Sequence, residues 1–162
     1  MTDLKILTVG ILLFASLILN LVGVITPDWI INGRVNKNGT VIEWSTGLTL
    51  NGPLPLVLAS GVMYASLVLM LLILLLFFYI YYKVKTYDYS MKVCRFLRAM
   101  SFFSFLTVLL ILAAFMFMLP NNYEMDYVTK GYSTWLSFSS AIIMTGISFI
   151  TVNIANEESG GI

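Results

Sequence analysis

Four long apolar runs dominate the chain, at residues 6–26, 56–82, 96–119 and 132–155. None of them carries Asp, Glu, Lys or Arg except for Arg98, at the edge of the third. Roughly 20 apolar residues in a helix cross a bilayer's hydrocarbon core, so each run is long enough to be a membrane span. Between the first and second runs the pattern changes. Pro27 stops the first helix, and from Asp28 the chain alternates, with Trp29, Ile31 and Gly33 on one side and Ile30, Asn32 and Arg34 on the other. After Asn38-Gly39 a second run follows, from Thr40 to Trp44. Asn-Gly between β-branched and aromatic runs predicts a β-hairpin; an unstructured loop is the alternative. A lone hairpin is marginal in water, so it requires support from the outer ends of the spans or from further strands. Residues 49–55, TLNGPLP, supply turn chemistry leading into the second span.

Composition sharpens the membrane assignment. Of 162 residues, 59% are hydrophobic and 10% charged, where soluble domains run at about 45–50% and 25%. The length permits one domain, residues 1–162. The first run is too long for the apolar core of a signal peptide, its basic flank is weak and no small-residue cleavage site follows, so it is expected to be a retained span. The loop at residues 83–95 and the adjoining helix edge hold Lys83, Lys85, Lys92, Arg95 and Arg98 against one acid, Asp88. On the other side Arg34, Lys37 and Lys130 are offset by Asp28, Glu43, Glu124 and Asp126. Basic residues concentrate in cytoplasmic loops. The loop at 83–95 and both termini are therefore expected in the cytoplasm of a multi-pass plasma-membrane protein, with the loops at 27–55 and 120–131 extracellular. A net charge of +1 makes no electrostatic case for nucleic acid.

The chemistry is sparse. There is no histidine, hence no Ser-His-Asp triad, histidine–zinc site or proximal haem histidine. A single cysteine, Cys94, excludes an intrachain disulfide. No paired carboxylates lie within a span to serve a proton or ion pathway, and phosphate-cradling loops are missing. These absences argue against an enzyme or transporter; no catalytic residue, cofactor, metal or small-molecule substrate is expected. Asn20 is the one strongly polar residue deep in a span, and an interhelical hydrogen bond is its expected role. Small residues recur on the second span (Ala59, Ser60, Gly61, Ala65, Ser66), and again on the third and fourth. They predict close helix packing inside one bundle, or a face for a partner protein.

At this point the chain resembles a known superfamily. LVGVITPDWII, an apolar span running into Pro-x-Trp at Trp29, resembles the claudin pattern, and EWSTGLTL places Gly47 and Leu48 where claudins carry Gly-Leu-Trp. The peripheral myelin protein and epithelial membrane protein branch is similar too, in its short length, its early glycan acceptor and its Asp-Tyr-x-x-Gly-aromatic opening of the fourth span. That opening resembles DYVTKGYSTW here, where three residues rather than two separate Tyr127 from Gly131, with a later glycine at Gly146. Thr49 stands in place of the second signature tryptophan, and both signature cysteines are missing. Tetraspanins fit less well, since their long cysteine-bearing second loop is absent. The resemblance implies an all-α membrane protein: a four-transmembrane-helix bundle with a small extracellular antiparallel β-sheet from the first loop. In it Trp29 would anchor the start of the sheet at the membrane interface. The implied role is to organise cell–cell contacts or membrane layers through lateral and adhesive protein association, with partners in the lipid bilayer and in other membrane proteins. That association would be self-association in cis or trans. The alternative is an auxiliary or regulatory subunit of an ion channel or receptor.

Two residues are candidates for modification. Asn38-Gly39-Thr40 is the only N-x-[ST] sequon, so Asn38 is expected to be glycosylated if its loop is lumenal. Cys94, beside Arg95 on a juxtamembrane segment, is a candidate for palmitoylation; an unmodified small residue is the alternative. The terminal Ile162 suits a PDZ pocket, although Gly160 stands where Ser, Thr or an apolar residue is usual.

Overall fold

A computed structural model of the chain describes residues 2–35, 41–51, 54–87, 91–118 and 127–159. The elements run α1 (Thr2–Ile25), β1 (Ile30–Val35), β2 (Val41–Thr46), α2 (Leu54–Tyr87), α3 (Met91–Phe117), β3 (Tyr127–Lys130) and α4 (Tyr132–Ser159). All four helices are long and apolar enough to cross a membrane. Each apolar run becomes a helix because a helix pairs all its backbone groups internally, as lipid demands. α1 ends at Ile25, two residues before Pro27, where proline disfavours helical backbone at the preceding residue. α2 begins at Leu54-Pro55, and proline is tolerated in a first turn whose N–H groups lack partners anyway. At 34 residues α2 is about 50 Å long. It therefore overshoots a core of about 30 Å and carries Lys83 and Lys85 clear of it.

In the bundle α1 packs on α4, α4 on α3 and α3 on α2, while α1 and α2 make the sparsest contact of the four. The core is filled by Leu13, Met63, Met70, Met100, Ile111 and Met144, all fully buried, with Ala59, Ala114 and Ala141 buried among them. Serine pairs bind the helices at two levels. The hydroxyls of Ser16 (α1) and Ser140 (α4) lie 2.8 Å apart, each also bonding the other's backbone carbonyl. Ser101 (α3) and Ser148 (α4) repeat the arrangement. Asn20 is fully buried, and its Nδ2 donates to Ser66 Oγ on α2 at 3.3 Å and approaches Met70 Sδ at 3.3 Å; its Oδ1 has no partner. The small residues thus divide. Ser60, Ser66, Ser104 and Ser140 face inward, whereas Gly61, Ala65 and Ser139 are exposed.

The antiparallel sheet expected of the first loop is present, and it has a third strand that the sequence did not announce. Its order is β2-β1-β3, with β3 contributed by the segment before α4. β1 pairs β2 from Ile30↔Thr46 to Val35↔Val41, and pairs β3 from Ile30↔Lys130 to Gly33↔Tyr127. An uninterrupted ladder closing on a two-residue Asn38-Gly39 turn would set Val35 opposite Ile42. The observed pairing is one residue away from that. Asn38 and Gly39 themselves lie outside the described residues, as do Thr40 and the tail at 160–162.

Candidate functional site

The sheet stands where α1 ends and α4 begins, and one residue binds the three parts together. The Trp29 side chain is 1% exposed. Its indole Nε1 donates to the carbonyl of Gly23 at 2.6 Å, satisfying one of the carbonyls that a helix C-terminus leaves without an intrahelical partner. Its backbone N–H donates to the Thr46 carbonyl at the end of β2. Its own carbonyl accepts from Gly131 N at 3.0 Å and from Thr134 Oγ1 at 2.7 Å. One residue earlier, the Asp28 carbonyl accepts from Ser133 N, which lies in the first turn of α4 and needs an acceptor. The lead-in to β1 therefore caps α1 at its end and α4 at its start. The ring anchors the start of the sheet from a buried position, with its N–H reaching back to the end of α1.

The other two residues shared with the superfamily pattern meet Trp29 at this junction. A Cβ on Gly47 would sit 2.9 Å from Pro27 Cα, so only glycine lets the end of β2 cross the chain entering β1. Leu48 is half-buried and packs against the bundle core. Thr49, at the position of the missing signature tryptophan, donates its N–H to Ser60 Oγ on α2 at 2.9 Å and so ties the loop to that helix. Its hydroxyl accepts from Asn51 N, closing a local turn. Sequence reasoning missed the role of Gly131. A Cβ there would run into the Asp28 carbonyl. Its place just before the aromatic opening of the fourth span was the only signal. Gly146, the later glycine of that pattern, has open space where a side chain would be.

Beside the junction, Lys130 Nζ lies 3.0 Å from the centroid of the Phe115 ring. Phe115, Trp135 and Phe138 form a mutual cluster with centroids 5.6–6.3 Å apart. Burial lowers the Lys130 pKa from its ordinary value, while the ring face attracts the charged form. Cys94 is far from here, near the start of α3, with its side chain 3% exposed. Acylation of that thiol would require the start of α3 to present its packed face.

No group of side chains among the described residues could hold a metal ion. What the junction does is mechanical. It fixes a three-stranded sheet on a bundle, with β2 and β3 as the outer strands, each paired only with β1 among the described residues.

Four spans with a small sheet locked to one end define a multi-pass membrane protein of the claudin-like class. A family model described as "Tight junction protein, Claudin-like" matches residues 1–159, and the chain belongs to that family. No curated protein matches it. The family is a structural, junctional one, so the chain is a tight-junction-like membrane protein.

Proposed function

We propose that this protein organises cell–cell contacts or membrane layers by lateral and adhesive association, with the outer strand β2 as its contact element. The observation that carries this reading is the outer position of β2 (Val41–Thr46) in the sheet order β2-β1-β3. An exposed strand edge is a template for another strand, and here it is held by the Trp29 node rather than left on a mobile loop. Ile42, 53% exposed, and Ser45, also exposed, offer no steric bar to a second chain. In the span below, Gly61 and Ala65 are exposed one turn apart on α2, a spacing that admits a second helix at close range. That feature also serves the second reading, an auxiliary subunit docked on a channel or receptor.

In mixed culture of expressing and non-expressing cells, the protein should concentrate at borders shared by two expressing cells. The double variant Ile42→Lys/Ser45→Lys, which places charges on the edge, should reach the surface at the same level and lose that enrichment. Unchanged enrichment in the variant removes the edge from the mechanism. Co-purification with one large membrane protein in fixed ratio, without border enrichment, favours the subunit reading.

The reading also places the sheet outside the cell, with both termini in the cytoplasm of a plasma-membrane protein and a glycan on Asn38. Its support is the basic α2–α3 side of the chain. Glycosidase treatment should shift the wild-type band, and Thr40→Ala should abolish the shift. Tags at Met1 and Ile162 should resist protease added to intact cells. An unshifted wild-type band removes the glycan, and cleavage of either tag overturns the orientation.

A further inference from the structure

The sparse seam between α1 and α2 is not uniform along its length. In the half nearer the sheet it is closed by the contacts of Asn20 with Ser66 and Met70. In the other half the two helices flank an apolar groove of about 360 Å³, lined by Leu7, Gly10, Ile11 and Phe14 of α1 and by Phe77, Phe78 and Tyr81 of α2. The floor of the groove is fixed by Gly10. A Cβ on that residue would meet the Phe77 ring at 2.5 Å, so the ring rests in the notch that the glycine leaves. Phe77 and Tyr81, one turn apart, stack with their rings within 27° of parallel and centroids 6.2 Å apart, so the α2 side of the groove is aromatic. The outer lips are exposed, with Ile11 at 63%, Phe14 at 49% and Phe78 at 50%. All of this lies within helices that span the membrane, so the groove opens on lipid.

We propose that this groove is a sterol site, in the membrane leaflet remote from the sheet. Three features select a sterol over the other molecules of a bilayer. The lining runs from Leu7 to Phe14, about 10 Å of helix, a length suited to a fused four-ring system rather than to a full acyl chain. A rigid ring system also loses little conformational freedom on docking against these aromatic side chains, whereas a flexible chain loses much. Finally, no lining residue carries a charge, and Tyr81 Oη is the single side-chain polar atom among them. A phospholipid headgroup would call for basic side chains, while a sterol has one hydroxyl to satisfy. Leu76, Tyr81 and Lys83 also fall in the loose order proposed for sterol contact, a weak pattern by itself that here coincides with a shaped groove.

The test uses the full-length protein in phosphatidylcholine vesicles containing a photoactivatable sterol. Label should map to residues 7–14 and 77–81 and be competed by unlabelled cholesterol. A phosphatidylcholine carrying the same photo-group on its acyl chain should label these residues no more than the rest of the spans. Ile11→Trp fills the groove from a lipid-facing position and should bring sterol labelling down to background; Leu7→Trp does the same from one turn away. Tyr81→Phe keeps the wall and should lower labelling about threefold to tenfold, the worth of one hydrogen bond. Label spread evenly over the four spans, equal labelling by the acyl probe, or cross-links at these residues to a second copy of the chain would each overturn the proposal. The wild-type map decides the matter even if a tryptophan variant elutes as aggregate.

Discussion

Trp29→Ala is expected to cost the folded protein about 3–5 kcal/mol, the range for truncating a large buried aromatic. The ring is 1% exposed, so its loss opens a cavity where α1, the sheet and α4 meet. The Gly23 carbonyl also loses the indole donor that now bonds it at 2.6 Å, a further penalty if water does not replace it. Trp29→Phe separates the two effects, because it retains most of the ring and removes only the hydrogen bond. Heating in mild detergent followed by size-exclusion chromatography should rank the midpoints wild type, Phe, Ala, with the Ala variant largely retained inside cells. An Ala variant melting with the wild type would show that the junction does not hold the sheet to the bundle.

Gly131→Ala, a change of one methyl group, should be nearly as damaging. The added carbon would occupy the position of the Asp28 carbonyl, and that carbonyl is held in place by Ser133 N. Backbone on both sides must move, and the movement breaks the bond from Gly131 N to the Trp29 carbonyl. Overpacking costs about 1–3 kcal/mol when side chains give way, and more when they cannot. Gly146→Ala is the internal control. Nothing lies within 4 Å of its added carbon, and alanine is worth about 0.5–1 kcal/mol over glycine inside a helix, so the midpoint should hold or rise. If the two alanine variants melt alike, the close approach at Gly131 is not what the residue is for.

The spans could be read from the sequence because lipid imposes a local criterion. About twenty apolar residues either cross or do not, and a helix needs no distant partner to satisfy its backbone. The alternation from Trp29 to Arg34 was legible for a similar reason, since a half-buried strand has period two. Pro27 marked the break between them. The superfamily residues Trp29, Gly47 and Leu48 could be named, yet not their task. Gly47 looks like any loop glycine until Pro27 is seen crossing it, and the sequence names Trp29 as an anchor without showing that its N–H bonds Gly23.

Tertiary structure alone decided the rest. β3 is four residues long, too short to signal a strand by pattern, and it forms because β1 presents an open edge about a hundred residues earlier in the chain. About the same distance separates Gly131 from Trp29, and 124 residues separate Ser16 from Ser140. Which small residues face inward was equally undetermined, since Ser66 and Ala65 are neighbours in sequence and one is buried while the other is exposed. Composition selects for a solvent, and lipid accepts either face of such a helix. Only packing against particular neighbours separates the buried serine from the exposed alanine, and the seating of the Phe77 ring against Gly10 was set in the same way.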